Sequence, residues 1–93
     1  MVEVTTTGSD VYIFTSPNGG CIVRNVIIYS KGAATVIVNC DDRTTHAAIN
    51  KATLGANETF EPFSAPLGMP AAHSISVNTG FALNVLITYV EFS

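Results

Sequence analysis

"SPNGGCIVRNVIIYSKGAATVIVNC", residues 16–40, decides the fold. It opens on a turn punctuated by Pro17, Gly19 and Gly20. The run 21–30 then places apolar residues on both parities, interrupted by Arg24 and Asn25. A strand does this when both of its faces are covered, or when a bulge shifts its phase. Residues 30–34 read as a hairpin turn, with Gly32 available for a positive φ. The run 35–40 alternates cleanly, with Val36, Val38 and Cys40 on one face and Thr35, Ile37 and Asn39 on the other. Nothing here sustains the 3.6-residue period of a helix.

The same period of two continues on either side. "VYIFT" (11–15) is a β-branched and aromatic strand. "DDRTT" (41–45) is a polar loop. "HAAINKATL" (46–54) has enough alanine for a helical turn, but its length and the following Gly55 fit a strand. "ETFEPF" (58–63) is a short strand whose Pro62 cannot donate to a ladder and so belongs at a sheet edge. "SAPLGMPAA" (64–72) reads as a loop. "HSISVNT" (73–79) turns Ile75 and Val77 inward and Ser74, Ser76 and Asn78 outward. "ALNVLITYVEF" (82–92) sets Leu83, Val85, Ile87 and Tyr89 on one face. Seven or eight short strands with turn signals every 8–12 residues predict an all-β chain, a single antiparallel β-sandwich of Ig-like or jelly-roll-like type. The sandwich domain covers residues 10–93, preceded by an N-terminal arm, residues 1–9. Val36, Val38, Ile75, Val77, Leu83, Val85 and Ile87 form the predicted core.

Composition excludes some partners. The chain has 93 residues, enough for one domain, and one of that size buries only about 60–65% of its unfolded surface. Charged residues make up 12%, against roughly 25% in ordinary soluble domains. Thr, Ser and Asn take their place, as suits the exposed faces of strands. Lys and Arg total 4 (Arg24, Lys31, Arg43 and Lys51) and the net charge is −3. A nucleic-acid partner would need a basic face, and the sequence offers none. No apolar run approaches the ~20 residues that cross a bilayer as a helix. The first ten residues have neither the basic nor the apolar region of a secretory signal, so synthesis in a cytoplasm is expected. If the strands around residues 30–34 form a hairpin, Cys40 lies opposite residue 23 or 24 and not opposite Cys21. Both cysteines then read as reduced, small apolar residues.

The residues that carry chemistry are scattered. His46 and His73 stand far apart, each at a strand start, and a zinc site needs three or four ligands. Asp41 and Asp42 are adjacent in a loop, whereas calcium loops spread more oxygen ligands over a dozen residues. Asp10, Glu58 and Glu61 are not paired by any pattern. Asn57, Glu58 and Thr59 match a glycosylation sequence, which without a signal peptide reads as chance. No catalytic residue, cofactor or metal is assigned, and a non-enzymatic protein is expected. Arg24 reads as a solvated or carboxylate-paired residue. Two features exceed what a sandwich needs. Pro66 and Pro70 stiffen a loop that either holds Leu67 and Met69 outward or folds them back as a cap on the core. The arm carries Val2 and Val4 and can add to its own sheet or to a neighbour's edge.

"VYIFTSPNGGCIVRNVIIYSKGAATVIVN" (11–39) resembles the opening of many small β-sandwich proteins of tailed-bacteriophage virions: a tyrosine strand, a Pro-Gly turn, an apolar strand, a small-residue turn and a "T-V-x-V" strand. "GANETFEPF" is similar to their next segment, and "HSISVNTGFALNVLITYVE" to their last two strands. The resemblance spans residues 10–92. It implies a virion structural protein of the capsid decoration, or cement, type, located in the virion and stabilising contacts between major capsid subunits. The alternative is a tail or fibre component, or a carbohydrate- or receptor-binding module. The expected partners are the major capsid protein or another virion protein, and further copies of this chain. Val2, Val4, Leu67 and Met69 are the expected interface residues.

Overall fold

The computed structural model describes residues 2–41, 46–63 and 65–91, and among these there are nine strands and no helix. The strands are β1 (Val2–Val4), β2 (Val11–Thr15), β3 (Cys21–Ser30), β4 (Ala34–Asp41), β5 (His46–Leu54), β6 (Thr59–Phe60), β7 (Leu67–Met69), β8 (Ser74–Thr79) and β9 (Leu83–Glu91). One sheet runs β1-β9-β3-β6, with β7 also on β3, and the other runs β2-β8-β4-β5. Every pairing is antiparallel. The two sheets enclose one core of Val4, Ile13, Cys21, Val23, Val26, Ile28, Ala34, Val36, Val38, Leu54, Met69, Ile75, Val77, Leu83 and Val85. The antiparallel sandwich and its predicted core are present, with Ile87 half-buried against the rest.

Four local readings are corrected. Residues 30–34 do not turn a hairpin, because β3 and β4 lie in different sheets and the chain arches from one to the other. Small residues serve both geometries, and here the arch lets the inward faces of β3 and β4 meet across the core. Ser30 Oγ donates to Gly32 O at 2.5 Å, and Lys31 N donates to Ala82 O at 3.2 Å. Gly32 is absent from the positive-φ positions; a Cβ there would lie 2.8 Å from carbons of the Phe81 ring, so close approach is the reason for glycine. Positive φ occurs instead at Gly20, in the turn before β3, whose N–H donates to Pro17 O at 2.8 Å. Cys40 lies opposite Ile75 and Ala47, in the other sheet from Cys21, and both thiols are free.

The loop predicted at 64–72 contains a strand, β7, which pairs with the first three residues of β3. Strand β6 is only two residues long, and Pro62 follows it with its C=O accepting from Asn50 Nδ2 at 2.8 Å. The ambiguous stretch 46–54 is a strand along its whole length.

Strand β3 has a bulge between Val23 and Asn25, with Arg24 as the extra residue. Before it Cys21 and Val23 are buried; after it Val26, Ile28 and Ser30 are. The change of phase accounts for the mixed parity. It also puts Ile22 and Ile27 on the outer face.

Candidate interaction surface

The outer face of the larger sheet carries two apolar rows with a polar row between them. Register sets three rows across β3 and β9: Ile22 opposite Val90, Asn25 opposite Thr88, and Ile27 opposite Leu86. Opposite residues on one face have Cβ atoms about 4.5–5.5 Å apart, so each row is a side-chain contact. Ile22, Leu86 and Val90 remain 36%, 45% and 47% exposed. Pro66, just before β7, closes a groove of about 350 Å³ with Ile22, Arg24 and Val90. The bulge turns Arg24 to this exposed side, so a guanidinium stands at the rim of an apolar groove. Single exposed apolar residues are ordinary, but apolar side chains grouped around a groove with a polar rim, as Ile22, Pro66 and Val90 are beside Arg24, make a candidate interaction surface.

The outer face of the smaller sheet is a contrast. Asp10 Oδ1 accepts from Asn78 Nδ2 at 3.1 Å and from Asn39 Nδ2 at 3.5 Å. Tyr12 on β2 lies across β8 from Asp41 on β4. Hydrogen bonding to the Asp41 carboxylate, reinforced by its charge, raises the phenol pKa above its ordinary 10.0. Ser76, the register partner of Tyr12, is fully buried although its side chain points outward. Tyr12 itself is 63% exposed.

The residues expected at an interface are not gathered in one place. β1 and β7 lie on opposite margins of the larger sheet, with β9 and β3 between them. They also lie at opposite ends, since β1 pairs along Leu83–Val85 whereas β7 pairs with residues 21–23, across from Tyr89 and Glu91. Val4 is 1% exposed and Met69 is 3% exposed, both within the chain's own core. Ser16 Oγ, itself buried, donates to Met69 O at 3.0 Å and holds β7 down. Val2 and Leu67 are half-buried against that core. The arm has added to its own sheet, and Met69 folds back as a cap.

The exposed aliphatic residues of this face are Ile22, Leu86 and Val90, which the sequence reading did not single out. Their signal was the second parity of apolar residues in 21–30 and 82–92, which reads as coverage on both faces. One face is covered by the second sheet; the other is open.

Chemistry-bearing side chains stay dispersed. His46 begins β5 opposite Asp41, and His73 immediately precedes β8. Asp42 and Arg43 lie outside the described residues. Among the described residues no three His, Cys, Asp or Glu side chains come together to hold a metal ion. No described helix is long and apolar enough to cross a membrane. Comparison with protein-family models, curated proteins and solved structures finds no match to this chain.

Proposed function

We propose that this chain is a non-enzymatic structural protein of a tailed-bacteriophage virion, a capsid decoration protein that binds across neighbouring major capsid subunits. The observation that carries the reading is the exposed apolar face of β3 and β9, with its groove between Ile22, Pro66 and Val90 and with Arg24 at the rim. This surface is shaped for another protein: an apolar side chain to fill the groove and a carboxylate to meet Arg24. The similarity of residues 10–92 to small virion sandwiches supplies the setting. Completing the burial of Ile22, Leu86 and Val90 would contribute roughly 0.5–1.5 kcal/mol each, before association costs. One such contact is weak, but a shell repeats it by symmetry, and binding only the assembled state stabilises that state.

The test is binding to particles that lack the protein. Ile22→Ser combined with Val90→Ser is expected to abolish occupancy while leaving the fold intact, because both side chains are already partly in water. Full occupancy by the double variant rules out this face. Absence of the native chain from purified virions rules out the setting.

A second reading, a carbohydrate-binding module on a virion tip or fibre, is favoured by Tyr12. An exposed aromatic beside Asp10, Asn39 and Asn78 is the kind of surface that stacks on a sugar ring and bonds its hydroxyls. Glycan binding by the native chain that Tyr12→Ala removes would promote it over the first.

A further inference from the structure

The margins of the two sheets are not equally protected. In the smaller sheet, β2 is bulged between Tyr12 and Phe14; β5 has a register shift against β4 and carries Lys51. In the larger, β6 and β7 are two and three residues long, and so is β1 at three. Bulges, lysines and short strands are the usual guards against edge-to-edge association. Strand β9 has none of them along its outer side. β1 covers only Leu83, Asn84 and Val85 there, and among the described residues nothing pairs with Leu86–Glu91 on that side. This open stretch, "LITYVE", runs without proline, glycine or lysine, and β9 continues unbulged where β3 has its bulge.

We infer that this edge pairs with the same edge of a second copy, antiparallel, about a two-fold axis at Thr88. Residues opposite one another in such a pair share a face, so with strict two-residue alternation the axis must pass through a residue and not between two. An axis at Ile87 would set Tyr89, Val90 and Glu91 of each copy against Val85, Asn84 and Leu83 of the other, all three already paired with β1. An axis at Tyr89 would set each Glu91 against Ile87 of the other copy. An axis at Thr88 sets Leu86 opposite Val90 on the outer face and Ile87 opposite Tyr89 on the inner one. Only Glu91 then falls opposite a residue that β1 already pairs, Val85, so the pairing ends at Val90 and the two Glu91 carboxylates stand beyond its opposite ends. The same operation extends the apolar rows: Ile22 and Val90 of one copy continue into Leu86 and Ile27 of the other. The pairing is isologous, closed, and limited to about five residues per strand by the β1 of each copy at either end. An interface of this size is small, and the association is concentration-dependent.

The inference stands apart from the virion reading, since it concerns the free chain. The experiment is sedimentation of the purified full chain over a concentration series, for the native protein and for Thr88→Lys and Thr88→Glu. Thr88 is exposed, so both variants keep the monomer fold, which circular dichroism checks. The native chain is expected to form a dimer. Each variant brings like charges together at the axis and weakens the dimer at least about tenfold. An equimolar mixture of the two variants is expected to restore it, because lysine then faces glutamate. A native chain that stays monomeric overturns the inference, as does a dimer indifferent to both substitutions. A dimer weakened by both but not restored by mixing refutes the two-fold axis at Thr88.

Discussion

Gly32 and Phe81 meet where the chain arches from β3 into β4, and their coupling can be measured. A Cβ on Gly32 would lie 2.8, 2.8 and 2.9 Å from three carbons of the Phe81 ring. Ordinary contact begins at 3.4 Å, so the ring must withdraw by at least half an ångström. The backbone of Phe81 is held in place, since Thr79 Oγ1 donates to Phe81 O at 2.7 Å and accepts from Phe81 N at 3.2 Å. The displacement therefore falls on the side chain. The ring is about half buried, and full burial of a phenylalanine contributes about 1.5–3 kcal/mol, so roughly 1 kcal/mol, and at most about 1.5 kcal/mol, is at risk. Against this, replacing glycine by alanine at a compatible φ stabilises by about 0.4–1 kcal/mol through the unfolded chain. Gly32→Ala alone is thus expected to be close to neutral. With Phe81→Ala already present, the clash is gone and the same change should stabilise by about 0.4–1 kcal/mol. Urea unfolding of the four proteins in the double-mutant cycle gives the coupling, expected near 1 kcal/mol. Equal effects of Gly32→Ala in both backgrounds would refute the close approach as the reason for glycine.

Two more outcomes follow from the core and the polar face. Ile28 is fully buried in the central strand of the larger sheet, and Ile28→Ala should cost about 2–5 kcal/mol, read as a fall in the urea midpoint; a loss below about 1 kcal/mol would show that the core collapses around the cavity. Tyr12 is expected to ionise above its ordinary 10.0 in an ultraviolet titration, and Asp41→Asn should bring it back down. Because the folded pKa is the raised one, the Tyr12–Asp41 contact is fully present below pH 10.0 and is lost as pH climbs through the raised value.

Much of the architecture was legible because burial on one face imposes a two-residue period. Val36 and Val38, Ile75 and Val77, and Leu83 and Val85 announced their inward faces in this way. The connectivity was not legible in the same terms. "SKGAA" supplies the small residues that a tight turn wants, and nothing in it distinguishes a hairpin from an arch between sheets. That choice depends on what β9 and β8, some fifty residues later, provide as partners. The exposure of Ile22, Leu86 and Val90 was missed for a related reason. Apolar residues of both parities in 21–30 say that neither face suits water, but not whether the second cover comes from this chain. The strand Leu67–Met69 was hidden by its flanking prolines, which stiffen a loop and also bound a three-residue strand such as β7.

Strand β9 lies between β1 and β3, yet it is the last of the nine in chain order. Only β4 and β5 pair as neighbours in sequence, so nearly every ladder waits for a distant segment, and such topologies fold slowly. As the chain leaves the ribosome, β1 and β3 emerge before β9 and hold open hydrogen-bonding edges until it arrives. The larger sheet closes when residues 83–91 arrive and slot between them, joining early and late segments in one step. A nascent chain halted after Gly80 would hold its central strands unpaired on that side, with Cys21, Val23, Val26 and Ile28 still exposed to whatever else is being made nearby.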